Sequence, residues 1–276
     1  MIVALTIKKI RNENWFSKIM ALVCPNKINF EKKTLGPVKL LHITINQRNK
    51  RIPWKKLSKI LKKKTQNILC QENTKLPKKY GFSRYNSTCL KKVLCKNAAV
   101  NVLKLSNINP NKLKLSLFDP KAEHSEILKE LILFSNQVNV VTYNTSKYLK
   151  DQEKMMAEYG ASIVGSDNLD LLFKSNVVIA PNKIMKTLPI SQSCLVFTSE
   201  RSSAPLKGII YHDYKISVPQ IFNSIMPPDL DPEYFLSAVY DKYNICEIKQ
   251  IIPKNCLCEN KELSIKDIAS KIFYEQ

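Results

Sequence analysis

Four short apolar runs, evenly spaced between residues 113 and 182, constrain this chain more than any other feature. They are Lys114-Leu-Ser-Leu-Phe118, Val138-Asn-Val-Val-Thr142, Ala161-Ser-Ile-Val164 and Val177-Val-Ile-Ala180. Each is four or five residues long and mostly β-branched or aliphatic, the composition of a buried strand. Helical patterns fill the gaps. Between the first two runs, Glu123 to Phe134 places Ile127, Leu128, Leu131, Ile132 and Phe134 mostly on one helical face. Lys147 to Tyr159 follows the second run and stops at Gly160. Asp167 or Asn168 can cap a short third helix. Strand and helix alternating at this spacing predict βαβ crossovers and a doubly wound, mostly parallel sheet.

Charge divides the chain in two. Residues 1–110 carry 25 Lys and Arg against Glu13, Glu31 and Glu72, whereas the remainder carries 19 against 20 acids. A lysine-rich codon bias explains abundant lysine, but not why acids are missing from one half only. Such asymmetry points to a polyanion or an acidic partner for the basic half. No run of 18 apolar residues suggests a membrane span. The opening Met1-Ile-Val-Ala-Leu-Thr-Ile reads as a first strand rather than a leader.

The basic half predicts a smaller α+β domain over 1–106. Strands are expected at Ile2 to Ile7, Ile19 to Val23, Val38 to Asn46 and Asn67 to Cys70, with Gly36-Pro37 as a turn. In the third, Leu41, Ile43 and Ile45 alternate with His42, Thr44 and Asn46, so His42 reads as a satisfied strand residue. Pro53 can open a helix whose stripe is Trp54, Leu57, Ile60 and Leu61. Arg48, Arg51, Lys55, Lys56, Lys59, Lys62 and Lys63 surround that stripe and are the expected contacts to a polyanion. Arginine is sparse, which argues against base-specific reading. A helix from Thr88 to Leu105 precedes Ser106-Asn-Ile-Asn-Pro-Asn111, a polar stretch where the charge changes and a domain boundary is expected. Residues 112–276 then form the second domain. Strands at Cys194 to Phe197, Gly208 to Tyr211 and Ile248 to Ile252 are expected in it, with a helix from Pro227 to about Tyr243 and another from Ser264 to Phe273.

Residues 112–182 resemble the nucleotide-binding half of Rossmann-type dehydrogenases, closest to the shikimate dehydrogenase-like group. Val140-Val-Thr-Tyr-Asn-Thr-Ser-Lys147 is similar to the end of that group's second strand, where an Asn-Arg-Thr sequence meets the adenosine ribose or its 2′-phosphate; here Asn144 and Thr145 stand without the Arg. Tyr159-Gly-Ala-Ser-Ile163 and Leu172 to Ile179 look like the later strands. The resemblance fails at its defining turn. A glycine-rich loop lets the backbone approach a pyrophosphate at a helix N-terminus, but here the loop reads Asp119-Pro-Lys-Ala-Glu-His124, without glycine. Pro120 has no N–H, and Asp119 and Glu123 repel a diphosphate. The expected fold is therefore a Rossmann-like sheet preceded by a basic α+β domain. The expectation is a degenerate domain of non-catalytic or regulatory role with no cofactor. The alternative is an NADP- or NAD-dependent oxidoreductase with a divergent phosphate loop, acting on a small acidic metabolite. Loops at the carboxyl ends of such strands are the default ligand site, which singles out Asp119, Thr142, Asn144, Thr145, Ser146 and Ser166. Helix capping is the competing role for each.

No metal site is expected. Cys246, Cys256 and Cys258 have a spacing unlike zinc knuckles, and no His lies near them. Cys24, Cys70, Cys89, Cys95 and Cys194 are placed on apolar faces, as free thiols in a reducing cytoplasm. His212-Asp213 follows a strand, but no nucleophile elbow or phosphate-binding loop accompanies it.

Overall fold

The fold was analysed in a computed structural model, which describes residues 1–9, 26–48, 52–86, 89–106, 108–217, 219–243 and 251–271. The chain divides into two compact units, Met1–Ser87 with Val218–Ile245, and Thr88–Ser217 with Cys246–Gln276. This differs from the boundary expected between 106 and 112. The helix expected to end the basic half belongs to the second unit, and the helix Pro232–Tyr243 belongs to the first. The expected strand at Ile19 to Val23, most of the one at Ile248 to Ile252, Arg51 and the Lys63 side chain lie outside the described residues.

In the first unit β1 (Ile2–Lys9), β2 (Lys27–Leu35), β3 (Val38–Gln47) and β4 (Leu69–Cys70) form a sheet in the order β2-β3-β1-β4. β1 runs parallel to β3 and β4, and β2 is antiparallel to β3 across the Gly36 turn. β2 was not expected, because six of its nine residues are exposed at the sheet edge and none is buried. One sheet face carries Val3, Leu5, Leu41, Ile43 and Ile45, and α1 (Trp54–Leu61) covers it with Leu57 and Leu61. Phe82 joins that cluster and meets Trp54 edge-on at 5.1 Å. Ile60, expected in the stripe, is 51% exposed. His42 lies on the other face, buried, with Nε2 3.0 Å from Thr6 Oγ1. Helix Pro232–Tyr243 is tied to this unit by Tyr85, whose hydroxyl donates to the Ser237 carbonyl and to Asp241 Oδ2.

The second unit is built on an eight-stranded sheet. α2 (Cys89–Ser106) leads into β5 (Leu115–Phe118), α3 (Leu128–Leu131), β6 (Gln137–Val141), α4 (Leu149–Tyr159), β7 (Ser162–Ser166), β8 (Val177–Ala180), β9 (Leu195–Thr198) and β10 (Ile209–Lys215). A hairpin, β11 (Asn255–Cys258) and β12 (Lys261–Ser264), and the helix Ile265–Lys271 end the unit. The spatial order is β12-β11-β10-β9-β8-β5-β6-β7. β5 to β10 are all mutually parallel and only the hairpin runs antiparallel. Renumbered from β5, the six parallel strands read 3-2-1-4-5-6, the order of a Rossmann sheet. The domain is Rossmann-like, as the four apolar runs predict.

Every residue of β5, β8 and β9 is buried, as expected for parallel strands covered on both faces. One face builds a cluster of Phe118, Val141, Val178, Ala180 and Val196 with Ile184, Leu188 and Ile190. α2 packs against β8, β9, β10 and the terminal helix, and twelve of its 18 residues are buried. Leu105, the last residue of the expected helix, is half exposed. The helix expected from Glu123 to Phe134 is much shorter: a 3-10 turn at Ser125–Ile127 and one α turn at α3. Ile127, Leu128 and Leu131 are still fully buried there, so the apolar spacing survives where the regular helix does not. α4 ends as expected at Gly160, at φ +63°, whose N–H caps the Met155 and Met156 carbonyls.

Candidate functional site

The chain order reverses direction between β5 and β8, and the carboxyl ends of both strands open on the same side. Such a switch point is where α/β sheets bind ligands. Asp119 leads off the loop after β5. It is fully buried, and its Oδ2 accepts from the Glu123 N–H at 2.7 Å, the His124 N–H at 2.8 Å and the Tyr148 hydroxyl at 2.6 Å. Those two amides open the segment Ser125–Leu131, where a pyrophosphate would meet a helix N-terminus in a Rossmann domain. The carboxylate therefore fills the anion seat from inside. Burial, then the hydrogen bond to Asp119, pushes the Tyr148 phenol far above its usual range, so it remains a donor. Ala122 closes the loop at φ +53°, with its N–H on the Asp119 carbonyl.

A charge network backs this loop, with Lys96 and His124 buried and Glu126 at the surface. The Lys96 ammonium, nearly inaccessible on α2, pairs with Glu126, and His124 Nδ1 lies 3.8 Å from the same Glu126 oxygen. Burial works to raise the Glu126 pKa, but hydrogen bonds from His124 and Lys96 outweigh it and bring the carboxyl down to about 2. A carboxyl lowered in the folded state stabilises the fold above its unfolded value, and that contribution is lost as pH falls toward 2. Between about pH 4.5 and 2 the Tm of wild type is expected to fall more steeply than that of Glu126→Gln. Parallel slopes from thermal scans across that range would show that Glu126 carries no such load.

The other residues singled out from sequence are turn and cap groups. Thr142 is fully buried; its N–H extends the ladder to the Ser166 carbonyl, and its hydroxyl accepts from the Asn144 N–H at 3.2 Å. Asn144 Oδ1 accepts from the Ser146 hydroxyl at 2.9 Å, and Ser166 accepts from the Asn168 N–H at 3.1 Å. Asn168 in turn caps Asp170, as expected. Thr145 and Ser146 are exposed. All six lie at the ends of β5, β6 and β7, yet none of them lines the cavity found at the switch point.

That cavity, about 550 Å³, is lined by Phe118, Pro120, Lys121, Tyr143, Asn182, Lys183, Met185, Lys186, Ser199, Glu200 and Lys92. Four lysines face one glutamate. Glu200 is engaged by Lys91 at 3.2 Å and Lys183 at 4.0 Å, and Lys92 lies 3.5 Å from Glu123. Lys186 reaches the Tyr143 hydroxyl, with its ammonium 4.9 Å from the ring centroid. Lys121 is exposed and has no carboxylate partner among the described residues. Asn182 Nδ2 is buried without a partner among them. Phe118, Tyr143 and Met185 supply apolar wall beside these cations. The set fits an anion joined to a flat apolar group. Sequence reasoning missed Asn182, Lys183, Lys186, Ser199 and Glu200, although they directly follow β8 and β9. Applying the strand-end rule to those strands, and not only to the first three, would have found them.

The cations and apolar wall of this cavity suit a dinucleotide's chemistry, and the loop does not. Lys121, Lys183 and Lys186 would hold its phosphates, and Phe118, Tyr143 and Met185 would flank a ring. The amide pair at 123 and 124 is spoken for by Asp119.

The cysteines add no chemistry here. The six described cysteines are unbridged, and burial pushes the thiols of Cys95, Cys194 and Cys256 up to about 12. Cys89, expected on an apolar face, is exposed, and Cys24 lies outside the described residues. No helix among the described residues is long and apolar enough to cross a membrane.

No protein-family model matches the sequence, and no curated protein matches it. Solved structures do match. One is the Thermococcus litoralis Delta(1)-pyrroline-2-carboxylate reductase in complex with NADH and L-proline, with 12% identity and a TM-score of 0.30 over 44% of this chain and 37% of that one. A probable ornithine cyclodeaminase from Bordetella pertussis Tohama I has 15% identity and a TM-score of 0.29 over 38% and 34%. L-tryptophan dehydrogenase from Nostoc punctiforme has 10% identity and a TM-score of 0.31 over 98% and 79%. The chain thus spans about a third of the length of the first two. The expectation from sequence is a domain without a cofactor; against it stands that one of these matching structures holds NADH.

Proposed function

We propose that the second unit binds a nicotinamide dinucleotide at the switch point, with its phosphates on lysine side chains instead of a glycine-rich loop. This is the oxidoreductase reading of the sequence, with a small acidic metabolite as substrate and the cytoplasm as its setting. The observation that carries it is the cationic cavity at the ends of β5, β8 and β9 in a sheet ordered 3-2-1-4-5-6. A bound nicotinamide supplies two-electron redox chemistry. The chain's part is to bind and orient it: Lys121, Lys183 and Lys186 through charge, Asn182 through its unpaired amide donor, Phe118 and Tyr143 through apolar contact.

Isothermal titration of NADH and NADPH into the full chain tests this reading. Charge reversal in Lys121→Glu with Lys186→Glu is expected to weaken binding at least about tenfold, the ratio that 1.4 kcal/mol corresponds to. Lys147→Glu, an exposed lysine outside the cavity lining, should leave the Kd unchanged. Absence of binding by either dinucleotide would overturn the reading, as would equal affinity in the double variant.

A further inference from the structure

The first unit carries a cationic surface that the proposed dinucleotide site does not use. Residues 52–86 hold ten Lys and Arg against one acid, Glu72. Lys55, Lys56 and Lys59 are exposed on α1, and Lys62 and Lys64 follow it, also exposed. Lys75, Lys78 and Lys79 are exposed on the segment that packs Leu76 and Tyr80 on the same apolar cluster as α1. These two segments therefore form one layer over one face of the sheet, with lysines on its outer side. None of these eight lysines has a carboxylate partner among the described residues. Elsewhere Lys91, Lys92, Lys154, Lys183 and Lys215 are paired with carboxylates; what sets this face apart is that eight unpaired lysines lie on two adjoining segments with Glu72 the one acid between residues 52 and 86. Leaving so many like charges together costs self-repulsion that a polyanion would relieve.

Two observations narrow the partner. A helix that lies in a membrane interface needs a free apolar face, and α1 has spent Leu57 and Leu61 on its own sheet. Base reading favours arginine, and the one arginine of this segment, Arg84, is occupied. Its Nε donates to the Tyr234 hydroxyl at 3.3 Å, its Nη1 donates to the Glu72 carbonyl at 3.0 Å, and its guanidinium lies 5.0 Å from the Tyr234 ring centroid. What remains is a cluster of lysine point charges on a regular surface. We propose that this face binds the phosphate backbone of nucleic acid without reading its bases.

Fluorescence anisotropy with a labelled duplex of about 20 base pairs, repeated across a salt series, is the test. If three to five phosphates are neutralised, log K should fall against log salt with a slope of about −3 to −5. Lys55→Glu/Lys56→Glu/Lys59→Glu should bind at least about 30-fold more weakly and lose about three units of slope. Lys112→Glu/Lys129→Glu/Lys174→Glu makes the same change in net charge on exposed residues of the second unit and should bind like wild type. Both triple variants are first shown to keep the wild-type Tm. Equal loss in both triple variants would mean net charge acts and not this face, and would overturn the proposal. No binding at low salt would overturn it too. So would binding to vesicles rich in anionic lipid with none to the duplex, which would make the surface a membrane's.

Discussion

Asp119→Ala is expected to destabilise the protein by about 3–5 kcal/mol, one of the two largest losses from any single substitution considered for this chain. Hydrogen bonds to a charged acceptor contribute about 1.5–3 kcal/mol each, and Asp119 Oδ2 accepts three. Their sum is an overestimate, because removing the carboxylate also removes the cost of burying its charge. Against that, the amides of Glu123 and His124 and the Tyr148 hydroxyl would be left as donors in a buried place. At about 2–4 °C per kcal/mol for a domain of this size, the Tm should drop by roughly 6–20 °C. Asp119→Asn keeps an acceptor and should lose only about 1–2 kcal/mol. If Asp119 has taken the place of a ligand's phosphate, added inorganic phosphate should restore part of the lost Tm in Asp119→Ala and none in wild type. A loss under about 1 kcal/mol for the alanine variant would show that the carboxylate does not hold the loop.

Gly208→Ala should be comparably severe, for a steric reason. Gly208 sits at φ +96°, which side-chain-bearing residues rarely adopt, and an added Cβ would lie 2.7 Å from the Cys194 carbonyl oxygen. That oxygen cannot retreat, because it accepts the Ile209 N–H at 2.9 Å where β9 and β10 begin their pairing. The Ser191 carbonyl and Ile190 Cγ2, each 3.2 Å away, close the other sides. Strain and displaced backbone together should cost about 3 kcal/mol or more. Gly36 provides the contrast, with φ +54° and nothing within 4 Å of an added Cβ. Gly36→Ala should cost only about 1 kcal/mol. Chemical denaturation of the two variants compares them directly, and equal midpoints would refute the packing argument.

The central sheet was legible because its strands are buried on both faces and so read as uninterrupted apolar runs. Val177–Ala180 is observed with the predicted bounds, and the neighbouring strands shift by a residue or two. Strands exposed to solvent were not legible. In β2 no residue is buried, and Phe30, Lys32 and Thr34 are as exposed as Lys27, Asn29 and Glu31, so no burial imprints a period on it. The hairpin of β11 and β12 was missed for a similar reason, and its turn places Glu259, not glycine, at φ +54°. The membership of helix Pro232–Tyr243 in the first unit rests on contacts such as Tyr85 with Asp241, 156 positions apart, which no local pattern records. At the site, the missing glycines were visible from sequence, but what replaces them was not. An aspartate that caps its own loop and one that faces a ligand read alike until its partners are seen. The six residues chosen from sequence follow the three strands that the resemblance covers best, whereas the cavity lies toward β8 and β9.

The measurement that bears most directly on the central claim is a crystal structure of the full chain grown with NADH. The expected result is density for the dinucleotide in the cavity beside Phe118 and Tyr143, its phosphates within reach of Lys121, Lys183 and Lys186, with Asp119 still bonded to the amides of Glu123 and His124. A pyrophosphate seated on those amides with Asp119 swung away would contradict the account, and so would a cavity that stays empty at NADH concentrations that saturate dinucleotide enzymes.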